Sequence, residues 1–262
     1  MTRKLSATRY GADMPGYRDL FDASITDPAG FWADAATAVT WTREPQRILD
    51  DSNPPFYRWF PDAELNTCAN ALDRHVYGGQ ARSDSGISYG GRAEQPALIY
   101  DSAVTDTKRV YTYAELLDET ARFAGALRGL GVGKGDRVAI MMKNAPAFFE
   151  ALFGAWHAGL NAVPINAKLH QKEAAYILEN SGARVCFITE DLKAVITPLA
   201  DEISGLEAVL PTSDTNHDAL LAGPAVIRPP ILCVNVLWYD VDKVRLIPTH
   251  RLNAASVESL RN

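Results

Sequence analysis

Apolar and polar positions change their spacing repeatedly between residues 96 and 189, from the period of two of strands to the helical period of 3.6. A helix is predicted to begin after Thr112, because Thr112 and Glu115 have the spacing of a capping box. The apolar positions of this helix fall on one face, at Leu116, Leu117, Phe123, Ala124, Leu127 and Leu130. Glycines between Gly129 and Gly135 then predict the end of the helix and a turn.

Strands are predicted on both sides of this helix. A pair of extended segments joined by a turn precedes it within Ala97–Tyr113, and the nearly all-apolar run Arg137–Met142 follows it. Further helices are predicted over 146–159 and 169–182, and further strands over 161–166 and 184–189. The buried face of the first of these helices is predicted to consist of Phe149, Leu152, Phe153 and Trp156. The expected fold class is α/β, with an antiparallel pair followed by a largely parallel sheet flanked by helices.

The region before residue 77 predicts an N-terminal arm docked on this α/β domain. Pro54 and Pro55 interrupt regular structure, and Asn66 is placed to cap a short helix that runs to about residue 76. Large rings cluster between them, at Phe56, Tyr57, Trp59 and Phe60. Because exposing large rings to water is costly, Phe56, Trp59 and Phe60 are predicted to be mostly buried against the α/β domain.

Composition narrows the class of protein. With 262 residues the chain is long enough for a sizeable core in one or two domains, and its net charge of -6 argues against nonspecific nucleic-acid binding. No apolar run approaches the ~20 residues that a membrane span needs, and Met1–Arg9 has no apolar signal core. Cys68, Cys186 and Cys233 have no metal-site spacing and are expected to be reduced, buried thiols of a cytoplasmic protein.

Two stretches of this chain resemble the AMP-forming acyl-CoA synthetases of the acyl-adenylate-forming superfamily. The first stretch is similar to the opening of the large domain of that superfamily. It consists of YTYAEL, a predicted helix and then LRGLGVGKGDRVAI. The second stretch is similar to the N-terminal extension of propionyl-CoA and acetyl-CoA synthetases. It reads NPPF-x-x-WF followed by LN-x-x-x-N-x-x-DRH. The matching residues of the second motif are Asn66, Asn70, Asp73, Arg74 and His75. The chain departs from the family at Pro61–Glu64, where a Gly-Gly pair is usual.

The resemblance changes along the chain. Residues 17–142 resemble the propionyl-CoA and acetyl-CoA type, whereas residues 143–192 resemble the fatty-acyl-CoA ligases. Recombination between paralogous genes and an intermediate subfamily would each explain this join. The implied organisation is an N-terminal extension over 1–76, a partial AMP-binding domain over 77–222 and a tail over 223–262 that matches neither branch. The tail has the character of sequence translated in a shifted frame.

Membership of this family would imply that a small carboxylic acid, ATP, Mg²⁺ and CoA are converted to acyl-CoA, AMP and pyrophosphate. The family's phosphate loop, which reads T-S-G-T-T-G-x-P-K-G, is not found; Thr212, Ser213 and Thr215 have no glycine among them. The glycine cluster Gly131–Asp136 is predicted to be a turn, because it lacks a Ser or Thr after its lysine and precedes a strand. The metal, ribose and lysine motifs that follow in the family are not found either.

The sequence therefore assigns no catalytic, cofactor-binding or metal-binding residue, and no retained cofactor. His75, which is next to Arg74 at a predicted helix end, is expected to be structural. Two functions stay open: a truncated short-chain acyl-CoA synthetase that is inactive alone, and a non-catalytic product of a truncated or fused gene that binds a partner. A dinucleotide-binding oxidoreductase would have the same alternation of strands and helices, but the fingerprint turn is missing.

Overall fold

The computed structural model describes residues 16–78, 91–212 and 221–222, and the backbone of 232–233. The helices, in chain order, are α1 (Tyr17–Thr26), α2 (Pro28–Ala36), a π-helix (Ala69–Gly78), α3 (Tyr113–Gly129), α4 (Pro146–Ala158), α5 (Gln171–Ser181), a 3₁₀ turn (Glu190–Leu192), α6 (Lys193–Ile196) and α7 (Leu199–Glu202). The strands are β1 (Leu49–Asp50), β2 (Arg58–Trp59), β3 (Glu64–Leu65), β4 (Pro96–Ser102), β5 (Thr107–Thr112), β6 (Arg137–Met141), β7 (Asn161–Pro164), β8 (Val185–Thr189), β9 (Ala208–Thr212) and β10 (Leu232–Cys233).

The strands form the predicted α/β arrangement. β4 and β5 pair antiparallel from Pro96↔Thr112 to Ser102↔Thr107. The main sheet has the order β7-β6-β8-β9 and is parallel throughout. The predictions of an antiparallel pair before the first long helix and of a parallel sheet after it are both confirmed.

Strand β6 lies at the centre of the main sheet and is buried on both faces. Val138 and Ile140 pack in one core cluster with α3 and α4, and Ala139 and Met141 pack in another with α5 to α7. All four side chains are inaccessible to water. A strand between two layers of helices needs apolar side chains at every position, which is why this run shows no alternation.

The ends of the long helices follow the sequence signals. The Thr112 hydroxyl accepts a hydrogen bond from the Glu115 N–H at 3.2 Å, and the Glu115 carboxylate accepts one from the Thr112 N–H at 2.8 Å. This is the predicted capping box of α3. At the other end of such helices, Gly159 after α4 and Gly182 after α5 have φ of 88° and 62°, a left-handed conformation that favours glycine.

The prediction for the buried face of α4 is wrong in part. Phe149 is 39% exposed, and Leu152, Phe153 and Trp156 are only half-buried. The fully buried residues of this helix are Glu150, Ala151, Gly154, Ala155, His157 and Ala158. The reason is the close approach of α4 to α3: a Cβ atom at Gly154 would lie 2.8 Å from Cδ1 of Phe123. Small residues fill the line of closest contact and leave the large rings at its margins.

The prediction for the rings of the arm is also wrong in part. Phe56 is 45% exposed, so it is not buried against the α/β domain. Trp59 is half-buried, with its ring centroid 6.0 Å from that of Trp32, and Phe60 lies 5.3 Å from Trp41. These rings pack on other rings of the arm, because the arm has its own short hairpin of β1 and β2 to cover.

Some predictions fall outside the described residues. These concern almost all of the tail at 223–262. Within the tail, the backbone of β10 pairs antiparallel with β3 of the arm. In the described ranges no helix combines the length and the apolar character that crossing a membrane requires.

Candidate functional site

The residues of the LN-x-x-x-N-x-x-DRH motif lie along the π-helix, where the arm meets α3 and α4. Asn66 precedes this helix and caps it, since its Oδ1 accepts a hydrogen bond from the Ala69 N–H at 3.0 Å. Its Nδ2 donates to the carbonyl of Trp156 in α4 at 3.1 Å. Asn66 is almost fully buried, so one side chain both starts the helix and joins it to the α/β domain.

Asn70 and Arg74, one and two turns further along, hold the segment that follows α2. The Asn70 side-chain amide forms two hydrogen bonds with the backbone of Thr40, accepting from its N–H at 2.8 Å and donating to its carbonyl at 2.9 Å. Arg74 Nη1 donates to the carbonyl of Ala38 at 3.0 Å. The Asn70 side-chain amide thus bonds to the backbone of Thr40 as a neighbouring strand would. With the bond from Arg74, it holds the segment after α2 against the π-helix.

Asp73 faces α4, and Cys68 lies in a core cluster with Leu116 and Leu117 of α3. Asp73 Oδ1 lies 3.8 Å from Nε2 of His157, a histidine whose side chain is 1% exposed. Cys68 is completely buried, and this burial, together with the charge of Asp73, raises the pKa of the thiol well above its usual value of 9.0. A thiol held neutral in this way is a poor nucleophile.

His75 packs its ring 5.1 Å from the ring of Tyr113 at the start of α3. Burial lowers the pKa of His75 below 6.5, and the neighbouring charges of Arg74 and Arg92 lower it further. A neutral imidazole packed between two elements suits a structural residue. The assignment of no catalytic role to His75 stays a prediction.

Two glutamates, the half-buried Glu119 and the buried Glu150, lie beside this junction and were not singled out from the sequence. Glu119 of α3 accepts a hydrogen bond from Arg109 of β5 at 2.9 Å and faces Glu150 of α4, which is 1% exposed. Burial and the charge of Glu150 raise the pKa of Glu119 to about 7. Burial, followed by the charge of Glu150, also raises the pKa of Tyr111 to about 12. One signal was available in the sequence: Glu150 is the only acidic residue in the predicted helix over 146–159.

The glycine-rich turn after α3 has its own partners. The Gly133 N–H donates to Asp136 Oδ2 at 2.8 Å, and the same carboxylate forms an ion pair with Arg184. Arg184 also pairs with Glu207 at 2.7 Å. The Asp136 carboxylate therefore closes the turn on itself, in agreement with the predicted turn.

The junction contains acid–base groups, but they are closed to a substrate. Glu150, His157 and Cys68 are each at most 1% exposed. In the described ranges no group of three or more His, Cys, Asp and Glu side chains is arranged to hold a metal. What these residues do in the structure is to connect the arm to α3 and α4, through the hydrogen bond of Asn66 to Trp156 and the contact of His75 with Tyr113.

Comparison with known proteins gives matches along most of the chain. Residues 17–71 match the family model described as acetyl-coenzyme A synthetase N-terminus, and residues 89–227 match that of the AMP-binding enzymes. The acetyl-coenzyme A synthetase of Streptomyces avermitilis is 33% identical over 209 residues, which are 76% of this chain and 30% of that protein. The human mitochondrial acyl-CoA synthetase short-chain family member 3 is 38% identical over 130 residues, which are 50% of this chain and 17% of that protein.

The fold has solved counterparts as well. The acetoacetyl-CoA synthetase from Streptomyces lividans superposes on 83% of this chain with a TM-score of 0.66 and 23% sequence identity. The match covers 34% of that structure. The chain thus spans about a third or less of the length of each of these proteins.

Proposed function

This chain belongs to the family of AMP-binding enzymes, and we propose that it supplies the N-terminal extension and the first part of the large domain of an AMP-forming short-chain acyl-CoA synthetase. The observation that carries the proposal is the order of the two family matches, an acetyl-coenzyme A synthetase N-terminus followed directly by an AMP-binding segment. The residues of the LN-x-x-x-N-x-x-DRH motif support it, because Asn66 joins the first segment to α4 of the second, and Asn70 and Arg74 fix the chain within the first.

We propose further that the 262-residue chain does not form acyl-adenylate by itself. Displacement of pyrophosphate requires that the negative charge of the phosphates be neutralised at fixed positions. The sequence has no glycine-rich loop that combines a lysine with hydroxyl groups, and in the turn Gly131–Asp136 the carboxylate of Asp136 takes the N–H of Gly133. Weak ATP binding is expected for the same reason.

Exchange of labelled pyrophosphate into ATP tests this proposal. The purified chain is assayed with acetate, propionate or a longer acid, with and without Mg²⁺, beside a sample without protein. No acid-dependent exchange above that sample is expected. Exchange clearly above it would overturn the proposal and would direct the search for a nucleotide site to the region from Thr212 onward.

A binding module without catalytic activity is the second candidate function. It is favoured by the outer face of α1, where Tyr17, Phe21 and Ile25 are spaced four residues apart and are 82%, 44% and 65% exposed. Co-purification with a separately produced remainder of a synthetase would support it. Replacement of Phe21 and Ile25 by serine should then abolish the association, and unchanged association would exclude this face.

The family resemblance also supports proposals about segment boundaries, substrates and location. We place the segment boundaries at 1–76, 77–222 and 223–262 and the change of resemblance near residue 142. Propionate and acetate are the proposed acids of the family reaction, with ATP, Mg²⁺ and CoA as the cosubstrates and cofactor of the complete enzyme. Free, buried Cys68 and Cys186 support a cytoplasmic location. Sequencing of the gene beyond codon 262 would test the reading of the tail.

A further inference from the structure

Two acidic side chains meet between α3 and α4, away from any residue that carries the proposed function. Glu119 Oε2 and Glu150 Oε2 are both buried from water. The helices that carry them are packed tightly, since Gly154 of α4 has no room for a Cβ atom beside Phe123 of α3. The contact therefore lies at the margin of the core, with Glu150 inside it and Glu119 partly exposed.

The charges around the two carboxyl groups do not balance if both are ionised. Within the described ranges, Arg109 is the cation that acts on Glu119; it lies 2.9 Å from Glu119 Oε1, and its side chain is 53% exposed. Two carboxylates in contact repel each other, and neither can donate a hydrogen bond. One proton removes the repulsion and makes a hydrogen bond between the two groups.

We propose that Glu119 and Glu150 share one proton in the folded protein, and that release of this proton loosens the contact of α4 with α3. The pair then acts as a pH-sensitive clamp within the α/β domain. This inference is independent of whether the chain binds ATP or acts with a second polypeptide.

The neighbouring charged groups agree with this assignment. Arg109 and Tyr111 face the pair from β5, and the Arg109 guanidinium lies 3.9 Å from the centre of the Tyr111 ring. Glu115 on the same helix adds negative charge but is turned to the helix start, where it is bound by Thr112. His157, two turns along α4, faces Asp73 of the π-helix instead. Asp118 and Arg122 of α3 pair with each other.

The direction of the pH effect follows from the raised pKa of Glu119. The folded protein keeps a proton that the unfolded chain releases around the ordinary value of 4.5, so raising the pH favours unfolding. The stabilisation is complete below pH 4.5 and is lost as the pH rises through about 7. Close to neutral pH a small change in acidity thus changes the strength of this contact.

Carboxyl ¹³C NMR of the full chain gives the direct test. The Glu119 resonance is expected to titrate near pH 7, well above the ordinary value of 4.5 for a glutamate. Amide hydrogen exchange of α4, corrected for the intrinsic rate, should show opening that is about tenfold more frequent at pH 8 than at pH 6.

Two variants and a control make the test specific. Glu119→Gln and Glu150→Gln each replace one acid by an amide that donates a hydrogen bond at every pH, so the pH dependence of α4 opening should disappear. Glu179→Gln, the same substitution at an exposed position of α5, should retain it. Titration of Glu119 near the ordinary value of 4.5, or unchanged pH dependence in both pair variants, would overturn the proposal. If a variant does not fold, the titration of the wild-type protein decides alone.

Discussion

The arm before residue 77 and the α/β domain after residue 91 are held together by different forces. In the domain, Phe123, Leu127 and Phe187 are completely buried, and the two faces of β6 each belong to an apolar core. In the arm, Phe56 and Trp32 are almost half exposed. The arm's fixed points are instead the side chains of Asn66, Asn70 and Arg74, each bonded to a backbone carbonyl of another segment.

The difference explains why the motif of the arm is polar. A short segment cannot enclose a core of its own, so directed hydrogen bonds fix its position beside the residues that it buries against the domain. Directed bonds require particular side chains at particular places, whereas an apolar core accepts many residues of similar volume. The arm is therefore recognisable by its exact residues and the domain by its apolar pattern.

The largest expected change in stability comes from removing a buried ring of the domain, compared with removing a ring of the arm. Phe187→Ala removes a buried ring that packs 4.8 Å from Phe123 and should destabilise the protein by about 3–5 kcal/mol. Phe56→Ala removes a half-exposed ring of the arm and should change the stability by less than about 1 kcal/mol. Urea unfolding followed by circular dichroism measures both. Similar losses for the two variants would contradict the contrast.

A smaller effect is expected from Asn70. Asn70→Ala leaves the N–H and the carbonyl of Thr40 without their side-chain partner, at a cost of about 1–3 kcal/mol to the docked arm. Hydrogen exchange should show faster opening of the arm around Thr40 and unchanged protection of β6. Asn180→Ala, at an exposed position of α5, serves as the control. Loss of protection in β6 would mean that the arm and the domain unfold as one unit.

The hairpin of the arm should respond to acid through Asp50. Hydrogen bonds from Ser52 and Arg58 lower the pKa of Asp50 to about 2, so the stabilisation is present above pH 3.8 and is lost as the pH falls through about 2. The Phe60 amide, which donates to the carbonyl of Ile48 in this hairpin, reports the loss by NMR. Asp50→Asn should remove this pH dependence. The same acid transition in the variant would exclude Asp50 as its origin.

The smallest effect is expected on the surface of the domain. Lys108 and Asp101 form an ion pair at 2.8 Å across β4 and β5, but both side chains are more than 60% exposed. Lys108→Ala should therefore cost no more than about 0.5 kcal/mol, and high salt should reduce the difference further. Thermal unfolding at low and high salt measures it. A loss above about 1 kcal/mol would show that polar contacts stabilise the domain as well as the arm.

Much of the fold was predictable because its signals are local. The capping box of Thr112 and Glu115 needs only its own turn of helix, and Gly159 needs only its own backbone conformation. The continuous apolar run of β6 identifies a strand covered on both faces without any knowledge of what covers it. These elements form where the sequence analysis placed them. The resemblance to the family was likewise visible in a local sequence motif, the residues around Asn66 and Asp73.

Other features arise only when distant segments meet. Sequence periodicity favoured the large rings of α4 as its buried face, but the approach of α3 at Gly154 buries the small and polar residues instead. The sequence likewise predicts that the rings of the arm pack on the α/β domain, but Trp59 packs on Trp32 of the arm itself. This contact, too, depends on how distant segments meet.

The sequence by itself determined the order of the elements, the α/β class and the family, because each is written in neighbouring residues. Tertiary structure alone decided the environment of the polar side chains. Glu119 and Glu150 are 31 positions apart by their numbers and become a pair only because α3 packs on α4. A carboxyl group is an ordinary surface charge until burial and a second carboxyl group change its affinity for a proton.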